Sequence, residues 1–257
     1  MSKFIDKLNQ LSQAVPQPMG FRATQPVSPK PKISLVASLA EANTDDLANY
    51  VAGADAGLVP ISKLTSGVKT LREICKVVPD IPWGGWLRDS ERGGIKQIVK
   101  AGGDFVVFPA ANTSLAILQD DKVGKILQVE ASLSEGLLRA VDKLPVDAVL
   151  IAGEPETDYL LTWHHLTTFQ RFADLLTKPL LVCVPSKVTA NELQALWKAG
   201  VDGIVVAVGV EPPAGKLNEL RQTIDKLAFP PRNWAKAEAL LPYIRGEEKI
   251  VAEEEEE

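Results

Sequence analysis

Hydrophobic and polar positions follow two alternating regimes along most of the chain. Four segments, "AGADAGLVP" (52–60), "AGGDFVVFP" (101–109), "LPVDAVLIAG" (144–153) and "AGVDGIVVAVG" (199–209), share one layout: a turn, an aspartate, then a short apolar run. Four other apolar runs lack the aspartate: "KISLVASL" (32–39), "DIPWGGWL" (80–87), "ILQVEASL" (126–133) and "KPLLVCVPS" (178–186). Interleaved, they predict eight short strands, rich in β-branched residues and long enough to be buried. Between them lie "TDDLANYVAG", "GVKTLREICKVV", "GGIKQIVKAGG", "SLAILQDDKVGK", "EGLLRAVDKL", "HHLTTFQRFADLLT", "TANELQALWKAG" and "KLNELRQTIDKL". Their apolar residues recur at three- and four-residue spacing, which predicts amphipathic helices. The first opens on an N-cap threonine with acidic residues behind it and stops at a glycine. "TANE" (189–192) fits a capping box.

Eight strands alternating with eight helices over residues 33–227 is the pattern of a (β/α)8 TIM barrel in the α/β class. The main rival is a doubly wound open sheet. Eight units of similar length, with no Gly-rich loop after the first strand, count against it. The repeated "AG-x-D" resembles the way many phosphate-binding and flavin-binding barrels lead into a strand, the glycine ending the helix and the aspartate making the turn. That resemblance covers most of residues 33–227 and identifies an architecture, not one family.

The ends differ from the middle. Residues 1–15 predict an amphipathic helix with Phe4, Ile5, Leu8 and Leu11 on one face, packed against the barrel. Residues 16–32 are proline-rich and read as an extended connector. Residues 228–257 begin at a proline break and finish in an acidic run, which reads as a solvating tail or a docking arm.

Composition narrows the classes. A 257-residue chain with 46% hydrophobic residues can bury a large core. A net charge of −5 gives no basic footprint for nucleic acid. The two cysteines, Cys75 and Cys183, lack CxxC spacing and suit a reducing compartment. No apolar run has the length of a membrane span, and the N-terminus is not a signal peptide, so the expectation is a cytoplasmic protein without a membrane partner.

"VAVGVEPPAGKL" (206–217) brings two glycines and a lysine together near the end of the chain. It is not a Walker A loop. Five residues separate Gly209 from Gly215 where four are needed, Pro212 and Pro213 have no N–H to give a phosphate, and Leu217 stands where the hydroxyl belongs. A weaker role survives. Gly209, Gly215 and Lys216 follow the eighth strand, and Ser186, Lys187 and Thr189 follow the seventh. In barrels the loops after these two strands often hold a phosphate with helix N-terminal amides. The six residues form a candidate anion site, with ordinary capping and surface roles as the alternative for each.

Strand alternation selects the inward residues. In "ILQVEASL" the apolar Leu127, Val129, Ala131 and Leu133 face helices, which turns Gln128, Glu130 and Ser132 inward. In "ISLVASL" Ser34, Val36 and Ser38 turn inward, with Ser38 near the active end. Glu130 is the carboxylate expected within a strand. There burial would raise its pKa into a range useful for acid–base catalysis, unless it is a satisfied structural glutamate. Past other strand ends come Ser62 and Lys63, Arg88 and Asp89, Asn112, and Glu154 and Glu156. Lys63 and Arg88 are the cations best suited to draw an anion to the mouth. Trp83 and Trp86 flank Gly84 and Gly85, whose space serves either the indoles or a ligand.

Absences discriminate further. No lysine falls within a predicted strand, which argues against a Schiff-base aldolase. His164 and His165 are adjacent at a helix start, and no strand end offers a zinc set, so no metal is expected. There is no G-x-S-x-G elbow.

Three functions remain. Glu130, Ser38 and Lys63 would carry lyase- or isomerase-type proton transfer on a small anionic ligand held by Arg88, Ser186, Lys187, Thr189, Gly209, Gly215 and Lys216. Alternatively, "LVASLAEANTDDLANYVAGADAGLVPI" resembles the opening of nitronate-monooxygenase-like proteins. That implies FMN, although "VAVGVEPP" departs from the usual flavin-phosphate loop and no G-G-H stretch is present. The third is a barrel without catalysis, a scaffold or subunit of a homo-oligomer or hetero-complex, with Trp83, Trp86 and Phe108 filling its mouth.

Overall fold

The structure is a computed structural model. It describes residues 2–12, 33–39, 47–88, 94–120, 122–152, 159–209 and 215–229. Eight parallel strands close into one barrel in sequence order, β1 (Ser34–Leu39), β2 (Ala56–Ile61), β3 (Trp83–Leu87), β4 (Phe105–Pro109), β5 (Gly124–Val129), β6 (Ala148–Ile151), β7 (Leu180–Val184) and β8 (Gly203–Val208). Closure is made by β1 against β8, from Ser34 opposite Gly203 to Leu39 opposite Val208. The fold is a (β/α)8 barrel, as the repeated pattern predicts.

Helix α1 (Lys3–Ser12) precedes the barrel. Then come α2 (Leu47–Tyr50), α3 (Leu64–Val77), α4 (Gly94–Lys100), α5 (Glu135–Asp142), α6 (Trp163–Leu175), α7 (Ala190–Lys198) and α8 (Lys216–Lys226). Where a helix was expected over 114–125, a 3₁₀ turn spans Leu115–Gln119. The Asp120 carboxylate accepts the Lys122 N–H at 3.1 Å and turns the chain away after the short apolar stretch. Gly124 and Lys125 are thereby released into β5. One strand therefore does hold a lysine, contrary to the sequence reading. Lys125 is buried, but it shares the register of Leu127 and Val129 on the helix-facing side, so it is not set for chemistry inside the barrel.

The repeated aspartates do more than make turns. The N–H of Asp55 donates to the carbonyl of Leu35, that of Asp147 to Lys125, and that of Asp202 to Leu180. The three carboxylates accept the N–H of the same residues in return, at 2.7 to 2.8 Å. Each aspartate thus locks the base of its strand to that of the preceding one. Gly53, Gly102 and Gly200 carry φ of 88°, 98° and 86°, the left-handed conformation that stops a helix.

Asp104 departs from this pattern. Its N–H still donates to Trp83, but its carboxylate accepts from Ser2 Oγ and from the Lys3 and Phe4 N–H groups, at 2.7 to 2.9 Å. A residue at the foot of β4 is therefore the N-terminal cap of α1. The helix lies across the N-terminal end of the barrel. Phe4 and Leu8 are fully buried, and the Phe4 ring sits 4.7 Å from that of Phe105 inside the barrel. Leu11, expected on the same face, is only half-buried. On the other edge of α1, Lys7 Nζ reaches Asp55 at 2.6 Å, and Arg221 of α8 grips the same carboxylate.

Two buried layers result. The outer one lies between strands and helices and includes Leu35, Ile61, Leu71, Phe172 and Val182. The inner one runs up the axis through Phe4, Leu8, Val36, Leu58, Phe105, Ile126, Leu150 and Val205. The proposed domain limits at 33 and 227 enclose all eight strands. The expectations for residues 13–32 and 230–257 lie outside the described residues.

Candidate functional site

Most of the strands are buried along their length with one half-buried position near the C-terminal end. These positions are Pro60 in β2, Trp86 in β3, Pro109 in β4, Gln128 in β5, Cys183 in β7 and Ala207 in β8. Each falls in the register of an inner-layer neighbour two residues earlier or later: Leu58, Gly84, Val107, Ile126, Leu181 and Val205. With Ser38 of β1, 8% exposed, they form a ring at the active end. Below the ring Phe105 fills the axis, with its edge where a Cβ on Gly84 would be, at 2.3 Å. This ring is the floor of the candidate site.

The floor is apolar with few polar groups. Trp86 Nε1 donates to Gln128 Oε1 at 2.7 Å, across the intervening β4. Tyr159, beyond β6, donates its hydroxyl to the Cys183 carbonyl at 2.7 Å and fixes the side of the mouth near β7. Ser38 and Gln128 thus lie at the mouth, as strand alternation predicts.

Glu130 does not lie within a strand. β5 ends at Val129, and the Leu133 N–H donates back to the Glu130 carbonyl at 3.1 Å, so residues 130–133 form a turn. Ala131 and Ser132 are exposed in that turn, not strand positions. Glu130 is itself exposed, with Ser132 Oγ donating to its carboxylate at 3.3 Å. The burial on which its catalytic reading rested is absent. It stands on the rim, one residue past the floor.

The cations stand on the rim as well. Ser62 and Lys63 follow β2, Arg88 follows β3, and all three are exposed. Half-buried Ser186 and exposed Lys187 follow β7, and half-buried Gly209 follows β8. These groups follow β7, β8, β2 and β3, an arc of the barrel with β1 and Ser38 at its middle. Glu130 on β5 lies across the ring from β1. The described rim is therefore polarised, positive around β1 and carboxylate-bearing opposite.

Two candidates have other work. The N–H and hydroxyl of Thr189 both meet the Glu192 carboxylate at 2.7 Å, and its hydroxyl accepts the Glu192 N–H, which completes the capping box of α7. Lys216 pairs with Glu219 one turn along α8 at 3.1 Å. Gly215 takes the left-handed conformation at φ 91° ahead of α8, with open space where a Cβ would be. Asp89, Glu154 and Glu156 lie outside the described residues.

The aromatic plug expected of a pure scaffold is not formed by the three residues named for it. Trp83 and Phe108 belong to the outer layer, and Trp83 donates its indole N–H to the Val78 carbonyl at 2.8 Å. Its ring occupies the space above Gly57, where a Cβ would lie 2.2 Å away. Gly84 accommodates Phe105, and Gly85 faces Ile61 and Ile98. The glycine space beside the tryptophans is thus filled by packing, mostly from other side chains.

Three features were not singled out from sequence: the Trp86–Gln128 bond, Cys183 at the mouth, and Thr113. The buried Oγ1 of Thr113, in the turn after β4, has no hydrogen-bond partner among the described residues. His165 is a cap: its Nδ1 accepts the Thr162 N–H at 3.0 Å, so the ring proton sits on Nε2. Burial pushes the Cys75 thiol up, which keeps it protonated and unreactive at neutral pH. Among the described residues no group of three or more His, Cys, Asp and Glu is arranged to hold a metal ion, and no helix is long and apolar enough to cross a membrane.

No protein-family model and no curated protein matches this chain. Solved structures do. A mutant tryptophan synthase alpha-subunit from the hyperthermophile Pyrococcus furiosus superposes with a TM-score of 0.56 at 13% identity, over 76% of this chain and 97% of that one. Thiamine phosphate pyrophosphorylase from Pyrococcus furiosus superposes with a TM-score of 0.55 at 16% identity, over 76% and 96%. The likeness is one of fold. At such identities the barrel is shared, and activity is not carried across with it.

Proposed function

We propose that this barrel binds a small phosphorylated ligand at the C-terminal face, its phosphate held on the β7–β8 side and its remainder lying over the floor. The observation that carries the reading is the polarised mouth. A mostly apolar, half-buried floor is flanked by Lys63, Arg88 and Lys187, whose charge would focus an incoming anion. Ser186, Gly209 and the unobstructed Gly215 leave backbone and hydroxyl donors on the same side. One structural neighbour is named for a phosphate ester, which agrees with this reading. Thr189 contributes through its cap, by holding the first turn of α7.

Inorganic phosphate and glycerol 3-phosphate are expected to raise Tm of the wild-type chain. The rise should shrink in a Lys187→Ala, Lys216→Ala double variant. No rise with either anion, followed by differential scanning fluorimetry at low salt, rejects the phosphate site.

For turnover, Glu130 is the proposed proton carrier by its place just past the end of β5 on the rim and not by burial, with Ser38 and Lys63 orienting the substrate from the opposite side. Native mass spectrometry of the purified protein would identify a retained ester to serve as substrate. Glu130→Gln is then expected to abolish turnover while unfolding free energy stays within about 0.5 kcal/mol of wild type, as for an exposed side chain. A loss of several kcal/mol would make Glu130 structural.

A subunit role has one observation in its favour. Leu160 and Trp163, 83% and 84% exposed, lie beside the mouth at the start of α6. Light scattering across a concentration series tests it. Of the segments behind the flavin comparison, residues 35–61 and 206–213, residues 40–46 and 210–213 lie outside the described residues.

A further inference from the structure

We infer that Gln128 selects the ligand's deep end: it presents hydrogen-bond donors to the mouth and takes an uncharged acceptor, a carbonyl oxygen or an unprotonated ring nitrogen. The inference rests on the preceding reading only in taking the mouth as the ligand site.

An amide side chain can present either its oxygen or its nitrogen, and here the choice is forced. Trp86 Nε1 is a donor and never an acceptor. The Gln128 atom 2.7 Å from it is therefore the carbonyl oxygen. With Oε1 engaged, the Nε2 group lies on the other branch of the amide plane, carrying two donors. No described residue accepts from it. A half-buried donor with no acceptor among the described residues is available to solvent when the site is empty and to ligand when it is filled.

The rest of the floor agrees. Pro60, Pro109 and Ala207 are apolar, and Ser38 and Cys183 add a hydroxyl and a thiol. No cation or carboxylate stands in the ring, so a charged group pressed onto it would lose water without gaining a counter-ion. The neighbouring Trp86 indole supplies an apolar flank for a planar ligand. Charge on the ligand belongs at the rim, beside Lys63, Arg88 and Lys187. An uncharged acceptor belongs on the floor.

The test follows side-chain N–H resonances of the isotope-labelled full-length chain. The Trp86 indole signal is assigned with Trp86→Phe and the Gln128 amide pair with Gln128→Glu. The probes are cyclohexanone, a neutral acceptor, and cyclohexylamine, a donor cation at neutral pH, each at millimolar concentration. Cyclohexanone is expected to shift both the Gln128 pair and the Trp86 indole, and cyclohexylamine neither. Gln128→Glu keeps an oxygen for Trp86 but removes both donors. It is therefore expected to retain the indole signal while weakening the ketone response roughly five- to tenfold, the effect of one neutral hydrogen bond. In Trp86→Phe the amide is released to flip, and a weakened ketone response is expected at the Gln128 pair.

A Gln128 pair that ketone leaves unmoved, or that cyclohexylamine moves equally, overturns the inference. So does a ketone response unchanged in Gln128→Glu. Inorganic phosphate is titrated separately. Failure of phosphate to stabilise the chain, with the ketone response intact, rejects the phosphate reading alone. Stabilisation by phosphate without a ketone response rejects the role of Gln128 alone.

Discussion

Asp55→Ala is expected to cost about 3–5 kcal/mol, the range for breaking a buried ion pair by removing one partner. The Asp55 side chain is 9% exposed and that of Arg221 12%. The carboxylate joins four elements: it accepts from Arg221 of α8, Lys7 of α1 and the Leu35 N–H of β1, and it stands at the foot of β2. Removing it leaves the Leu35 N–H without its side-chain acceptor and the Arg221 guanidinium with only the Gly53 carbonyl and the more distant Asp225. Arg221→Met is expected to cost less, since Asp55 keeps Lys7 and the Leu35 N–H. Urea unfolding of the two variants measures the difference. If Arg221→Met is the more damaging, the carboxylate is not the organising partner.

Phe4→Ala is expected to destabilise by about 3–5 kcal/mol, as for a fully buried aromatic ring whose removal leaves a cavity. Phe4 forms the bottom of the inner layer, against Phe105, and Ile5 fits closely over Gly124, where a Cβ would come within 2.5 Å. Leu11→Ala, on the half-buried last turn, should cost under about 1 kcal/mol, since little apolar area is lost. Equal losses from the two variants, in the same urea series, would mean that α1 lies on the barrel without sealing it.

The candidate site was partly legible beforehand. Alternation placed Ser38 and Gln128 at the mouth because period-2 patterning depends only on which face is apolar. It misjudged Glu130 because the rule holds only while the strand lasts. "EASL" continues the apolar–polar alternation in letters, yet the backbone turns there, with Leu133 bonding back to residue 130. Lys125 was missed at the other end for the same reason: pattern fixes a strand's phase better than its limits. For Thr189, "TANE" already contained the cap that engages it.

By itself the sequence determined the architecture. Eight apolar runs with helices between them leave a parallel sheet buried on both faces, and the repeated glycine and aspartate set where helices stop and strands begin. These are local signals, written in the spacing of neighbouring residues. Only the tertiary structure decided what depends on closure: that Asp104 caps a helix about a hundred residues earlier, that Asp55 meets Arg221 from the far end of the chain, and that Trp86 reaches over β4 to orient Gln128. Such contacts join residues distant in sequence, and no periodicity encodes them, because their partners become neighbours only once the strands have paired and the barrel has closed.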